Sequence, residues 1–161
     1  MSPLDNPSVQ RVQQALAEAG SAARVIALAE TARTAQDAAD SIGTALGSIV
    51  KSLLFMVGGQ PAMALVAGDR QCDLKALPAA LGLSGTARRA NADEVRAATG
   101  YAIGGVAPVG WPRPLPVAID ASLGRFATVY AAAGHPHCVF ATSVEELQRL
   151  TGGRLSEAIG R

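Results

Sequence analysis

A mixed α/β fold, in which a β-sheet of mixed strand direction is flanked by helices, is what this sequence predicts. Three observations predict it. Strand-like and helix-like runs alternate along the chain; two strand runs are joined by the glycine-rich turn "GGQ"; and hydrophobic residues make up 49% of the chain with only 4% aromatic. The last point means a core of Ala, Val, Leu and Ile. Interleaved elements argue for a sheet covered by helices, and the hairpin link favours a mixed sheet over a purely parallel, doubly wound one.

Each element has its own local signal. Residues 9–19, "VQRVQQALAEA", set Val9, Val12, Leu16 and Ala19 at helical spacing and stop at Gly20. "RVIAL" (24–28) reads as a short strand. "TAQDAADSIG" opens on Thr34 as a helix N-cap, with Asp37 three residues on, and stops at Gly43. "IVKSLLFMV" (49–57) and "PAMALVAG" (61–68) are the hairpin strands. "DLKALPAALG" (73–82) reads as a helix interrupted or ended near Pro78, and "TARRA" (86–90) as a strand. "NADEVRAATG" (91–100) combines an Asn91 N-cap, Glu94 at the capping-box position and a terminating Gly100. "YAIGGVAPVGWPRP" (101–114) is loop. "LPVAID", "FATVYAAA" and "HCVFAT" are three further strands, Thr142 with Glu145 opens a last helix, and the tail after it reads as loosely held.

With 161 residues and neither an internal repeat nor a low-complexity linker, the chain reads as one domain spanning 1–161. A net charge of +1 excludes a strongly polybasic nucleic-acid binder but leaves room for a local basic patch. Cys72 and Cys138 have no CxxC spacing and make no disulfide framework. "MSPLDNPSVQ" has no signal-peptide pattern, and the longest apolar run, "IVKSLLFMVGG", is too short to span a bilayer and holds a lysine. The expectation is a soluble cytoplasmic protein with reduced thiols and no membrane partner.

Three stretches can carry chemistry. Period-2 alternation in 49–57 puts Ile49, Lys51, Leu53, Phe55 and Val57 on one face and Val50, Ser52, Leu54 and Met56 on the other. Both faces are mostly apolar, so Lys51 must reach a rim, pair with a carboxylate, or line a pocket that receives an anion. The loop "TGYAIGGVAPVG" is dense enough in glycine to bring bare N–H groups to a ligand oxygen. It lacks the dinucleotide and Walker spacings and follows a helix. "AAAGHPHCVF" (131–140) holds the only two histidines, His135 and His137. One reading is a polar turn with an incidental histidine. Another is a metal site with Cys138, although in a strand Cys138 points away from the two histidines. The third is a site histidine on a rigid turn, positioning water or a substrate hydroxyl, for which His135 is the better placed of the pair. Cys138 reads as core, Cys72 has no histidine close in sequence, and no GxSxG elbow is present.

In their order and spacing, these pieces resemble the YbaK family of aminoacyl-tRNA deacylases, which also supplies the editing domain inserted in many bacterial prolyl-tRNA synthetases. "ARTAQDAADSIG" with "IVKSLLF" is similar to the family's TA-containing helix and lysine strand. "GYAIGGVAPVG" is similar to its glycine loop, with Gly104 to Pro108 fitting the GxxxP core. "LPVAIDASL" is similar to the following strand and short helix, and "AAAGHPHCVF" to the C-terminal glycine turn at Gly134. The resemblance covers residues 9–150. It implies a partly barrel-like mixed sheet and metal-free, cofactor-free hydrolysis of the ester between a wrong amino acid and the terminal adenosine of tRNA. It gives Lys51 the role of holding phosphate or ribose oxygens, and gives the backbone of Gly104, Gly105 and Pro108 the role of binding substrate and the developing oxyanion. A histidine at the C-terminal turn marks the alanine-editing members, so His135 points to tRNA(Pro) carrying Ala or another small residue. Ser52 departs from the asparagine common after the lysine. Leu28, Thr34 and Ser52 are the expected pocket lining. Arg88, Arg89 and Arg96 offer a modest patch for tRNA, and prolyl-tRNA synthetase is the implied protein partner. The rival readings are a Cys-tRNA(Pro) deacylase of the same fold, a non-catalytic module binding tRNA ends or nucleotides, and a metal hydrolase using His135, His137 and Cys138.

Overall fold

The hairpin organises the architecture. In the computed structural model, which describes residues 2–29 and 32–161, strands β2 (Ile49–Val57) and β3 (Gln60–Ala67) pair antiparallel from Val50↔Ala67 to Val57↔Gln60. Gly58 and Gly59 turn the chain at φ 57° and 83°, left-handed values that a two-residue hairpin of this kind needs at both positions. Gln60 therefore belongs to the second strand.

The remaining strands are β1 (Val25–Ala27), β4 (Ala87–Arg89), β5 (Val117–Asp120), β6 (Val129–Ala132), β7 (Cys138–Thr142) and β8 (Arg154–Ser156). They form one mixed sheet in the order β1–β7–β6–β2–β3–β5–β8, with β4 attached to β2 off this path. The β2–β6, β3–β5 and β5–β8 pairs are parallel, and the β1–β7, β6–β7 and β2–β4 pairs antiparallel. The sheet is thus mixed, as the hairpin predicted, and helices α1 (Pro7–Glu18), α2 (Ala35–Ile42), α3 (Leu77–Leu81), α4 (Ala92–Thr99) and α5 (Val144–Thr151) flank it.

Both faces of the central hairpin are covered. Val50, Leu54, Met63 and Leu65 pack with Val9, Val12 and Leu16 of α1 and Leu147 of α5. Phe55, Val57, Ala64 and Val66 pack on the opposite face with Leu77 and Leu81 of α3 and with Ile159. A third cluster sets Ala38 and Ala39 of α2 on Ile49. Each fully buried Leu or Val contributes roughly 1.5–3 kcal/mol, which explains how a core so poor in aromatics holds. Among the described residues no helix is long and apolar enough to cross a membrane.

The caps at Thr34 and Asn91 form as predicted. Thr34 Oγ1 accepts from Asp37 N–H at 3.1 Å, and Asn91 and Glu94 complete a reciprocal capping box. Three expectations need correction. Pro78 does not end a helix; it lies in the first turn of α3, where its missing N–H has no intrahelical acceptor to lose. The cap of α5 is Ser143, which accepts from Glu146 N–H, because Thr142 is drawn into β7 and its hydroxyl donates to Glu146 Oε1 at 2.7 Å. The tail is not loosely held: β8 pairs with β5, Ile159 is fully buried, and residue 160 bridges to Cys72.

Candidate active site

The site forms where the sheet splits. On one edge, β2 pairs with β6 only at Ile49 and Val50 and with β4 only at Phe55 to Val57. Beyond these ladders, the Leu54 carbonyl accepts from Ala90 N–H at 3.1 Å. Among the described residues, 51–53 have no ladder partner on that edge, because β6 and β4 diverge from the long strand. A cleft of about 250 Å³ opens there. Lys51, Ser52, Gly104, His135 and Thr34 line it, with Arg33, Arg89, Ile103, Val106 and Pro136. Residues more than 80 positions apart are thereby brought to one cavity.

Lys51 is half-buried, and its Nζ donates to the carbonyl oxygen of Arg70. Burial pushes its ammonium below the ordinary lysine value and the Arg89 guanidinium adds to this, while the Asp69, Cys72 and Asp120 side chains oppose it. The Cys72 thiol is itself pushed up to about 11 by burial, so at neutral pH it is uncharged. No Asp or Glu is among the described residues lining the cleft, whereas Arg33, Lys51 and Arg89 are. A pocket so charged favours an anionic ligand.

The glycine loop and the histidine turn pack as one unit. Gly134 N–H donates to the Gly105 carbonyl at 2.9 Å, and a Cβ at Gly105 would lie 2.9 Å from both Gly134 C and His135 N. Gly134, at φ 90°, rests on the first turn of α1, where a Cβ would meet Ser8 at 2.8 Å. Gly105 N–H is already spent on the Ala102 carbonyl at 3.0 Å. Gly104, at φ 97°, therefore presents the loop's backbone to the cleft, while Gly105, Pro108 and Gly134 stand behind it. Pro108 is buried in the base of the loop, beside residues that Tyr101 and Trp111 secure through the Val109 and Ala107 carbonyls.

His135 Nδ1 accepts from the backbone N–H of His137 at 3.0 Å. An accepting Nδ1 carries no proton, so the neutral ring holds its hydrogen on Nε2 and acts as a donor. The rings of His135 and His137 lie 5.2 Å apart. The turn is stapled from outside: Leu28 N–H donates to the His137 carbonyl at 2.6 Å, and Ala32 N–H to the Pro136 carbonyl at 3.2 Å. Leu28 is buried and does not line the cleft; its backbone, not its side chain, serves the site. The Ser52 hydroxyl is buried without a hydrogen-bond partner among the described residues. No three His, Cys, Asp or Glu side chains among the described residues converge in a way that can hold a metal ion.

The predicted arginine patch comes apart. Neighbours on β4 point to opposite faces. Arg88 is tied to Glu94 by two bonds of 2.9 and 2.8 Å, while Arg89 lies over the Phe55 ring and faces the cleft. Arg33 and Ile103 were not singled out from sequence, and the only signal for them was their nearness to Thr34 and Gly104.

Residues 29–150 match the model of a family described as the aminoacyl-tRNA editing domain. YwhH of Bacillus subtilis (strain 168), an uncharacterized protein, is 36% identical over 119 residues, which make up 73% of this chain and 74% of that one. EbsC of Enterococcus faecalis, named as a candidate Cys-tRNA(Pro)/Cys-tRNA(Cys) deacylase, is 28% identical over 126 residues, 77% of this chain and 76% of its own. A crystal structure described as a candidate trans-editing enzyme for prolyl tRNA synthetase superposes with a TM-score of 0.90 at 39% identity, covering 97% of this chain and 98% of that one.

Proposed function

The chain belongs to the aminoacyl-tRNA editing domain family, and from that premise we propose that it hydrolyses mischarged tRNA(Pro), with alanine or another small residue as the amino acid removed. The observation that carries this reading is the convergence of Lys51, Gly104 and His135 on one small cleft with a cationic rim and no carboxylate among the described lining residues. In the proposed reaction water attacks the ester carbonyl carbon, the carbonyl oxygen gains negative charge, and the bond to the ribose oxygen of the terminal adenosine breaks as that oxygen takes a proton. The Lys51 ammonium holds the phosphate or ribose oxygens. The backbone at Gly104 faces the developing oxyanion. His135 donates from Nε2 to a ribose hydroxyl or to the attacking water. With the Nδ1 lone pair already engaged, the protein contributes orientation more than a strong base.

Ala32, Ala35, Ala38, Ile49 and Tyr130 line the cleft on the α2 side, which supports a small aliphatic side chain. A wall of this kind separates substrates by about 1–3 kcal/mol per methylene, so overlap among small residues follows. The likeness to EbsC favours cysteine as the second reading. The cationic rim supports tRNA as the ligand, and the likeness to the structure described as a trans-editing enzyme supports prolyl-tRNA synthetase as the enzyme whose errors are removed.

The test is hydrolysis of Ala-, Cys-, Ser- and Pro-tRNA(Pro) by wild type and Lys51→Ala. Expected is cleavage of Ala-tRNA(Pro) with Pro-tRNA(Pro) spared, and a loss of at least ~100-fold in the variant, assayed below its melting transition. Cleavage of Cys-tRNA(Pro) alone selects the second reading. Binding of tRNA without cleavage of any of the four overturns the hydrolase.

A further inference from the structure

The register carries a polar row across the sheet. Lys51 stands opposite Val66, and Leu65 stands opposite Ile119, so Val66 and Asp120 are the next pair along the same parallel strands. Residues opposite one another share a face. Lys51, Val66 and Asp120 thus lie in line over three strands, on the face that carries Phe55 and Ala118.

Asp120 is 2% exposed. Its Oδ2 accepts from Ala67 N–H at 3.1 Å and its Oδ1 from Ser122 N–H at 2.9 Å. Gly160 packs so closely on it that any Cβ there would overlap the carboxylate. Two backbone bonds solvate the anion, yet among the described residues no cation is ion-paired with it. A buried charge left uncompensated is expensive. Arg125 is near but is committed to Asp69 through bonds of 3.0 and 2.8 Å. That leaves Lys51.

The same closure fixes the other end of the lysine. Gln71 and Arg161 exchange backbone bonds of 2.8 and 2.9 Å, and Asp73 N–H donates to the Ile159 carbonyl at 2.7 Å. The C-terminal segment so clamps residues 71–73, and the adjoining Arg70 carbonyl accepts from Lys51 Nζ.

We propose that Asp120 is a positioning residue for Lys51: its buried carboxylate is the counter-charge that holds the ammonium, protonated and oriented, beside the Arg70 carbonyl at the edge of the cleft. The other charged or titratable groups acting on Lys51 are Arg89 from β4, Asp69 after β3, and Cys72. Arg89 repels the ammonium; Asp69 attracts it more than Asp120 does but is exposed and shared with Arg125, and the thiol is neutral, so Asp120 is the buried one of the two carboxylates. The consequence for deacylation rests on the function proposed above.

The chain has two lysines, Lys51 and the exposed Lys75, so lysine Cε NMR reads the site beside an internal reference. In Asp120→Asn the Lys51 titration midpoint should fall by about half to one pH unit while that of Lys75 stays. Single-turnover hydrolysis of Ala-tRNA(Pro) should slow about tenfold, with its alkaline limb moving in step with the midpoint. An unmoved Lys51 midpoint overturns the proposal. A moved midpoint with wild-type hydrolysis overturns the positioning role. If the wild-type protein cleaves no mischarged tRNA, the function reading fails and the NMR titration alone decides the counter-charge. Because Asp120→Asn can unfold the chain, wild type supplies an independent measurement: the Lys51 Nζ hydrogens should exchange with water more slowly than those of Lys75. Equal exchange overturns the proposal.

Discussion

Alanine at position 105 would place its Cβ 2.9 Å from Gly134 C, 2.9 Å from His135 N and 3.0 Å from Gly134 O. All three are backbone atoms, so no side-chain rotation relieves them. Gly105 is not among the glycines with positive φ, so the substitution adds a contact without adding backbone strain. Ordinary Cβ contacts begin near 3.4 Å, and the histidine turn must therefore retreat by 3.4 − 2.9 = 0.5 Å. Its freedom to do so is limited, because Gly134 is itself packed on Ser8 and the turn is bonded to Leu28 and Ala32. Overpacking of this kind costs about 1–3 kcal/mol, a fall in Tm of about 2–12 °C for a chain of this size. A displacement of 1 Å in a catalytic group is worth about 100-fold in rate, so half of that predicts roughly a tenfold loss. Single-turnover hydrolysis of Ala-tRNA(Pro), well below the melting transition, is the assay. Wild-type rate and Tm together would refute the contact between loop and turn as the means by which His135 is placed.

His135→Asn separates the turn from the chemistry. The asparagine Oδ1 can accept from His137 N–H as Nδ1 does, but its Nδ2 amide then falls where the ring Cδ2 was, one bond short of the Nε2–H it would have to replace. The variant should melt like wild type and deacylate about 100-fold more slowly; unimpaired deacylation would reduce His135 to a turn residue. Acid should loosen α4. Bonding to Arg88 and to Asn91 N–H holds the Glu94 carboxyl down at about 2, against an ordinary value of 4.5. A depressed acid stabilises the fold above its unfolded pKa and loses that contribution as pH falls through the folded one. The loss should run from about 4.5 to 2, read by hydrogen exchange in α4, and Glu94→Gln should flatten it.

Elements governed by neighbours in sequence were legible from the residues. The caps at Thr34 and Asn91 need only a side-chain oxygen three residues before an amide. The hairpin turn needs two glycines free to take positive φ. The alternation around Lys51 predicted a strand covered on both faces with its lysine in want of a partner. Pairings between distant segments were not legible. Whether 142 or 143 caps α5 depends on how far β7 runs beside β6. The tail reads as polar and short, and only the parallel edge of β5 makes a strand of Arg154–Ser156. Arg88 and Arg89 look alike in a row of letters until β4 pairs with β2 and turns one toward Glu94 and the other toward the cleft.

The site shows the same division. Lys51, the glycine loop and His135 could be named from local chemistry, because a lysine in an apolar strand, a bare loop and a histidine turn are unusual wherever they occur; Gly104 within that loop was marked only by the family resemblance. That they meet follows from β6 and β4 parting on either side of residues 51–53, a matter of register between strands some 30 to 80 residues apart in the chain. The Nδ1 bond of His135 and the row from Lys51 to Asp120 have the same origin. Side-chain type and spacing are written along the chain, but which face, which edge and which counter-charge each residue meets is set by long-range pairing and burial, and those exist only once the sheet has formed.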